Sequence, residues 1–413
     1  MNRFAKIFFT CLPVLMIILL ISCSSHDRTV SPLMPQDPET NLNPHSALLS
    51  EMTWKTFQGE VRNYKKTRDI LKGIMEEYNV SGISIALTQQ KRESFTTYSF
   101  DMGVENPHTG KPIDGKTVFR AGRLGQPVFA YLVMKLYTGG WFNIDRRLYK
   151  YLPKPLPDYP AYKDLKGDSR YKRLTARRIL SHQSGLANSR LTHPEHRLTF
   201  ETSPGKGFRY SEEGYRLLQF VLELRFKGSL NDLAKSVVFD RFGMKDTSFV
   251  YEPRFEGHIA IANGGGEDSK SLATDVDVSK TFITSAGDYA EFMWPVLIEG
   301  RALNHLLCHS YFTPNVRVHS PIILEPPYPG DHPTIPKKLF WCAGWGAYRI
   351  PGSRSYFIGH RDQGIECYAT LFNSRWTAVS IFVAGDVQHS VTARILREIV
   401  GEIETPLKWL GFE

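Results

Sequence analysis

The chain has 413 residues, and its 51 Lys and Arg against 42 Asp and Glu leave a formal charge of +9, a mild surplus. A content of 42% hydrophobic and 12% aromatic residues can supply a substantial core, and no run beyond the first residues is long enough to span a membrane. There is no internal repeat, and the cysteines lack metal-ligand spacing, so neither a repeat array nor a metal centre is expected, and no cofactor is called for.

At the start of the chain, Arg3 and Lys6 precede the fifteen uncharged residues Ile7 to Ile21, the layout of a secretion signal. Pro13 interrupts the run, which falls short of the roughly 20 apolar residues that cross a bilayer as a helix. It ends in Leu20-Ile21-Ser22-Cys23, which resembles the lipobox of bacterial lipoproteins. That resemblance implies removal of residues 1–22, a lipid on Cys23, and a protein of the cell envelope anchored on the extracytoplasmic side of a bacterial membrane. Residues 23–46 hold Pro32, Pro35, Pro38 and Pro44 with little apolar periodicity and read as a flexible tether. Removal of Arg3 and Lys6 lowers the charge to +7. The densest basic patch, Arg170 to Arg178, reads as a solvated helix face in preference to a contact for anionic wall polymer or lipid headgroups, and export argues against nucleic acid. Cys308, Cys342 and Cys367 are expected as buried free thiols.

Residues 47–413 form the remaining domain, long enough for a core with a sizeable insertion. Ile70, Leu71 and Ile74 recur at helical spacing and predict a helix from Lys65 to Tyr78, followed by strands at Ile83 to Leu87 and Glu93 to Phe100. The middle of the chain is expected to be mostly helical. Near the far end, Glu366 to Phe372 and Thr377 to Val383 read as adjacent strands, and Val391, Ile395, Leu396 and Ile399 mark a closing helix. Terminal segments that share one sheet around a helical block predict a mixed α/β sandwich with an α-helical insertion.

Several segments then resemble, in order, the serine β-lactamase and penicillin-binding-protein superfamily, in its class C β-lactamase, esterase and D-alanyl-D-alanine carboxypeptidase branch. They are Ser81-Gly-Ile-Ser-Ile-Ala86, Thr117-Val-Phe-Arg-Ala121, Val133 to Pro153, Ile179-Leu-Ser-His-Gln-Ser-Gly-Leu186, Phe208-Arg-Tyr-Ser211, Phe242-Gly-Met-Lys-Asp-Thr-Ser-Phe249 and Ser285-Ala-Gly-Asp-Tyr-Ala290. The resemblance implies an antiparallel sheet flanked by helices, and acyl transfer by a serine at the start of a buried helix with a lysine one turn on. Arg123 and Gln126 occupy those two positions here. Arginine offers no nucleophilic oxygen, and a glutamine amide accepts no proton near neutrality. Ser169-Arg-Tyr-Lys172 and Ser203-Pro-Gly-Lys206 repeat the spacing, but neither opens an apolar helix.

The second family motif, tyrosine-x-asparagine, appears as Tyr210-Ser211-Glu212, which predicts an ion pair between Glu212 and Arg123. The third, on an edge strand, appears as His360-Arg361-Asp362, with Asp362 where the family has glycine and a shortened turn after it. Tyr210 and His360 read as packed residues first, His182 as a helix-end hydrogen-bonding residue, and Trp341, Trp345 and Tyr348 as core. These departures suggest a catalytically inactive relative that binds or regulates cell-wall (peptidoglycan) fragments or a partner protein. The alternative is an active hydrolase of the β-lactamase, esterase or carboxypeptidase class that uses Tyr210, His360 or Ser211 in a non-standard way, and a third reading is purely structural.

Overall fold

The structure is a computed structural model that describes residues 52–412, apart from 92–93, 263–273, 303–309, 319–336, 374–375, 386–389 and 404–405. The signal segment 1–22, the tether 23–46 with Cys23, and Cys308 lie outside the described residues.

A short hairpin of β1 (Thr53–Lys55) and β2 (Val61–Asn63) leads into α1 (Tyr64–Glu77). Asn63 caps that helix by accepting from Lys66 N–H at 3.1 Å, and Thr67, Leu71 and Ile74 form its buried stripe. β3 (Val80–Lys91) and β4 (Ser94–Asn106) follow as a long hairpin, with β5 (Lys111–Pro112) beyond it. Both strands outrun their apolar stretches. Gln89, Gln90 and Lys91 keep pairing with Thr96, Phe95 and Ser94 after β3 has left the core, because the backbone ladder continues where side-chain burial stops.

The insertion contains β6 (Phe119–Arg120), α2 (Gly125–Thr138), α3 (Ala176–Leu180), α4 (Glu212–Phe226) and α5 (Leu230–Ala234), with several 3-10 turns, and β7 (Ile283–Thr284) pairs with β6. α6 (Ala286–Ala302) returns the chain to the sheet. There β8 (Val316–Arg317), β9 (Leu339–Trp341), β10 (Gly346–Ile350), β11 (Ser353–Asp362), β12 (Ile365–Phe372) and β13 (Thr377–Gly385) are added, and α7 (Thr392–Val400) and α8 (Leu407–Leu410) close the fold.

Nine strands form one antiparallel sheet in the order β5-β4-β3-β13-β12-β11-β10-β9-β8. The two chain ends therefore meet at its centre, where β3 pairs with β13. Every residue of β12 and β13 is buried, which requires cover on both faces of the sheet. α6 supplies one cover: Ser380 Oγ donates to Ala286 O at 2.8 Å and Phe382 packs on Tyr289. α1 and α7 pack on each other and on the sheet, and Trp54 Nε1 donates to Ile399 O at 2.7 Å.

α2 is apolar almost all round and nearly all of it is buried, the pattern of a helix through the middle of a core. Trp341, Trp345, Tyr348, Cys342 and Cys367 are all buried, and both cysteines are free. Among the described residues no helix is long and apolar enough to cross a membrane, and no group of three or more His, Cys, Asp or Glu could hold a metal ion.

Candidate active site

Gly122–Leu124 forms a 3-10 turn that enters α2, and hydrogen bonds from outside the helix fix its course. The Ala121 and Gly122 N–H groups both donate to Phe282 O, at 2.9 and 3.0 Å. The Tyr289 hydroxyl donates to Leu124 O at 3.0 Å and the Tyr311 hydroxyl to Pro127 O at 2.8 Å. Pro127 is tolerated in the first helical turn, where its missing N–H would have no helical partner. Gly122 has φ +43°, and a Cβ there would stand 2.5 Å from His360 Nε2. Only glycine lets the imidazole of β11 rest against the head of α2.

The three motif segments meet at this point. Arg123 Nε and Nη2 each lie 3.2 Å from Glu212 Oε1, so the ion pair expected from the sequence is present. Glu212 opens α4, where the helix N-terminus favours its negative charge, and Ser211 caps that helix with its Oγ accepting from Gly214 N–H at 3.0 Å. Glu212 also takes Arg216 at 3.4 Å and Lys280 at 3.8 Å, while Arg216 continues to Glu213 at 3.1 Å and Asp277 at 2.7 Å.

Behind the ion pair, the fully buried Gln126 amide is saturated. Its Nε2 donates to the Tyr210 hydroxyl at 2.8 Å and to Ser279 Oγ at 3.2 Å, and its Oε1 lies 3.3 Å from His182 Nε2. His182 Nδ1 accepts from Ser211 N–H at 3.2 Å, which leaves the ring proton on Nε2, pointing at Gln126. His182 stands just past the end of α3 with φ 51°, the left-handed position that ends many helices, so its helix-end role is as expected.

Burial sets the protonation states. It pushes the His182 pKa down to about 3, a shift reinforced by the positive charge of Arg123. It takes His360 to about 3 as well, aided by the positive charges of Arg123, Arg120 and Lys280. Burial also raises the Tyr210 hydroxyl far above its usual range, against the pull of Arg123. Burial alone would lower the Arg123 pKa, but Glu212 at 3.2 Å outweighs it and keeps the guanidinium charged. At neutral pH the site thus holds the Arg123–Glu212 ion pair, two neutral imidazoles and a phenol. The buried His360 Nδ1 has no hydrogen-bond partner among the described residues.

A beta-lactamase family model matches residues 67–319. The chain belongs to the beta-lactamase family. A D-alanine carboxypeptidase from Burkholderia cenocepacia superposes with a TM-score of 0.61 at 16% identity, over 82% of this chain and 99% of that one. A class C beta-lactamase from Rhodobacter sphaeroides gives 0.60 at 14%, over 81% and 98%. The octameric penicillin-binding protein homologue from Pyrococcus abyssi gives 0.61 at 18%, over 84% and 79%. At these identities the likeness is one of fold. No curated protein matches the chain.

Within this family fold, Arg123, Gln126, Tyr210, Glu212 and His360 gather as a single cluster, and Asp362, two residues after His360, is exposed at the end of β11. The turn after it is two residues long, with Gln363 and Gly364 at φ 45° and 76°, the left-handed pair of a tight hairpin. Gln363 Oε1 accepts from Arg120 Nη1 at 3.0 Å, tying that turn to β6. Sequence reasoning missed Ser279, Lys280, Asp277 and Arg216. Only Arg216 carried a signal, four residues after Glu212 on a helix face.

Proposed function

We propose that this chain is a non-catalytic member of its family that acts by binding, with a wall-peptide fragment or a partner protein as its ligand. The carrying observation is the 3.2 Å pair of Arg123 with Glu212. The family resemblance puts the acylated serine and its lysine at Arg123 and Gln126, and a charged guanidinium and a saturated amide can neither attack a carbonyl nor take up the proton.

The other oxygens nearby are committed elsewhere. Ser211 Oγ donates to Ala187 O at 2.8 Å while capping α4, Ser279 Oγ accepts from Gln126, and Tyr210 is a buried phenol. Neither neutral histidine, with a pKa near 3, is a useful base at pH 7.

Binding is supported by His360 Nδ1, which has no hydrogen-bond partner among the described residues, and by the positive charges of Arg123, Arg120 and Lys280 that reach that ring. They suit a ligand with a carboxylate, such as the end of a wall peptide. The lipobox-like Leu20-Ile21-Ser22-Cys23 supports anchorage to a bacterial membrane through a lipid on Cys23; fatty-acid labelling that persists in Cys23→Ala would refute that part.

The test of function pairs two measurements on purified protein. Hydrolysis of chromogenic lactam and ester substrates is expected to stay at background. Calorimetry with peptidoglycan fragments is expected to show reversible binding that weakens in Lys280→Gln. Turnover that vanishes in one site variant would instead identify a hydrolase.

A further inference from the structure

The positive surplus of this chain is local. Residues 145–178 contain eleven Lys and Arg but four Asp, so this stretch alone carries +7 of the formal +9. Its acids are largely engaged. Asp145 binds Arg177 through two bonds of 2.7 and 2.9 Å, Asp168 binds Arg170 at 2.6 to 3.0 Å, and Asp164 accepts from Leu198 N–H at 3.0 Å.

Arg147, Arg173 and Arg178 are left with no carboxylate partner among the described residues, and backbone carbonyls gather them instead. Arg173 O accepts from Arg147 Nη1 at 2.7 Å and from Arg178 Nη1 at 2.6 Å, so those two cationic nitrogens are no farther apart than the sum of these distances. Arg173 itself donates from Nη2 to Pro204 O at 3.2 Å. The pairing of Arg147 with Thr175, and the bond from Leu148 N–H to Leu174 O at 3.0 Å, hold the two segments in register. Burial, and then the charges of Arg147 and Arg173, pull the Arg178 pKa below its ordinary value, so the three groups repel one another where they stand.

Three forks fixed by one bond each keep other N–H donors free, and that geometry matches a group with several acceptor oxygens and more than one negative charge. We propose that Arg147, Arg173 and Arg178 form a binding site for a phosphate-type oxyanion, presented by a soluble phosphate ester or by a lipid headgroup. None of the three belongs to the Arg123 cluster, so this proposal stands whether or not the family site is catalytic.

Inorganic pyrophosphate and vesicles of phosphatidylglycerol or of phosphatidylcholine are the probes. The intact chain is compared with R147Q/R173Q/R178Q and with the charge-matched K150Q/K154Q/K163Q. The arginine variant is expected to lose at least about tenfold in pyrophosphate affinity and the lysine variant less than about twofold. Binding to phosphatidylglycerol vesicles that also needs the arginines assigns the headgroup as source, and pyrophosphate binding alone assigns a soluble ester. Should the triple variant fail to fold, R173Q, at an exposed position, is expected to weaken binding by at least about threefold. Equal losses in the arginine and lysine variants, an unchanged R173Q, or no binding of any probe by the unaltered chain would overturn the proposal.

Discussion

Arg123 at the head of α2 and Glu212 at the head of α4 are 89 residues apart in sequence, yet their side chains meet at 3.2 Å with only 12% and 4% of their surfaces exposed. The pair is asymmetric. Glu212 also serves Arg216 and Lys280, whereas Glu212 is the only carboxylate paired with Arg123 among the described residues. Removing one partner of a buried pair strands the other charge at a cost of about 3 kcal/mol or more. Glu212→Gln strands the buried Arg123, whereas Arg216 keeps Glu213 and Asp277, and Arg123→Leu leaves Glu212 with Arg216 and Lys280. Urea unfolding is expected to show a loss of about 3 kcal/mol for Glu212→Gln and about 1 kcal/mol for Arg123→Leu. The reverse order would mean that Arg216 and Lys280 do not sustain the carboxylate.

The contact of Gly122 with His360 makes a second prediction. A methyl group at Gly122 would enter the imidazole, and the position has a positive φ that disfavours a side chain. Gly122→Ala should therefore cost about 1–3 kcal/mol and displace the ring, which the His360 proton shifts in an NMR spectrum would report. An unshifted ring in a fully stable variant would show that β11 does not press on the helix head.

His182 gives a pH signature. Its pKa falls from 6.5 to about 3 on folding, so between those values the unfolded chain binds a proton that the folded chain refuses. The stability it contributes is complete above pH 6.5 and is lost as the pH falls toward 3. His182→Asn removes this dependence. The stability gap between the natural chain and the variant should narrow by up to about 1.4 kcal/mol per pH unit below 6.5, as read from denaturation series at several pH values. A constant gap would mean that His182 is already charged when folded.

Asp288 has the opposite sign. Buried in α6, it accepts from Asp246 N–H at 2.7 Å and from Thr247 Oγ1 at 2.8 Å, and burial raises its pKa from 3.8 to about 7 despite those bonds. Its stabilising contribution is full below pH 3.8 and is lost as the pH rises to about 7. Relative to the natural chain, Asp288→Asn should gain stability across that window and plateau above it. A flat difference would place the carboxyl in a more polar setting than its burial implies.

Much of this was legible in the sequence because the signals were local. Leu71 and Ile74 marked α1 by periodicity, the apolar runs of β12 and β13 marked adjacent strands, and the order of short motifs pointed to the family fold. The Arg123–Glu212 pair was readable because both residues lie inside motifs whose members converge. Ser279 and Lys280 were not readable. They reach the site on a connection between elements, with no periodicity or spacing to mark them, and tertiary packing alone brings Ser279 to Gln126. The arginine cluster was visible as charge, but its unpaired members emerged only once Asp145 and Asp168 were seen to engage Arg177 and Arg170.

The central claim is that nothing at the head of α2 can carry an acyl group. Intact-mass spectrometry of the purified chain after prolonged exposure to a penicillin-type lactam and to a fluorophosphonate tests it directly. The account predicts an unchanged mass with both reagents. A one-to-one adduct that maps to Ser211, Ser279 or Tyr210, and disappears when that residue is replaced, would contradict it.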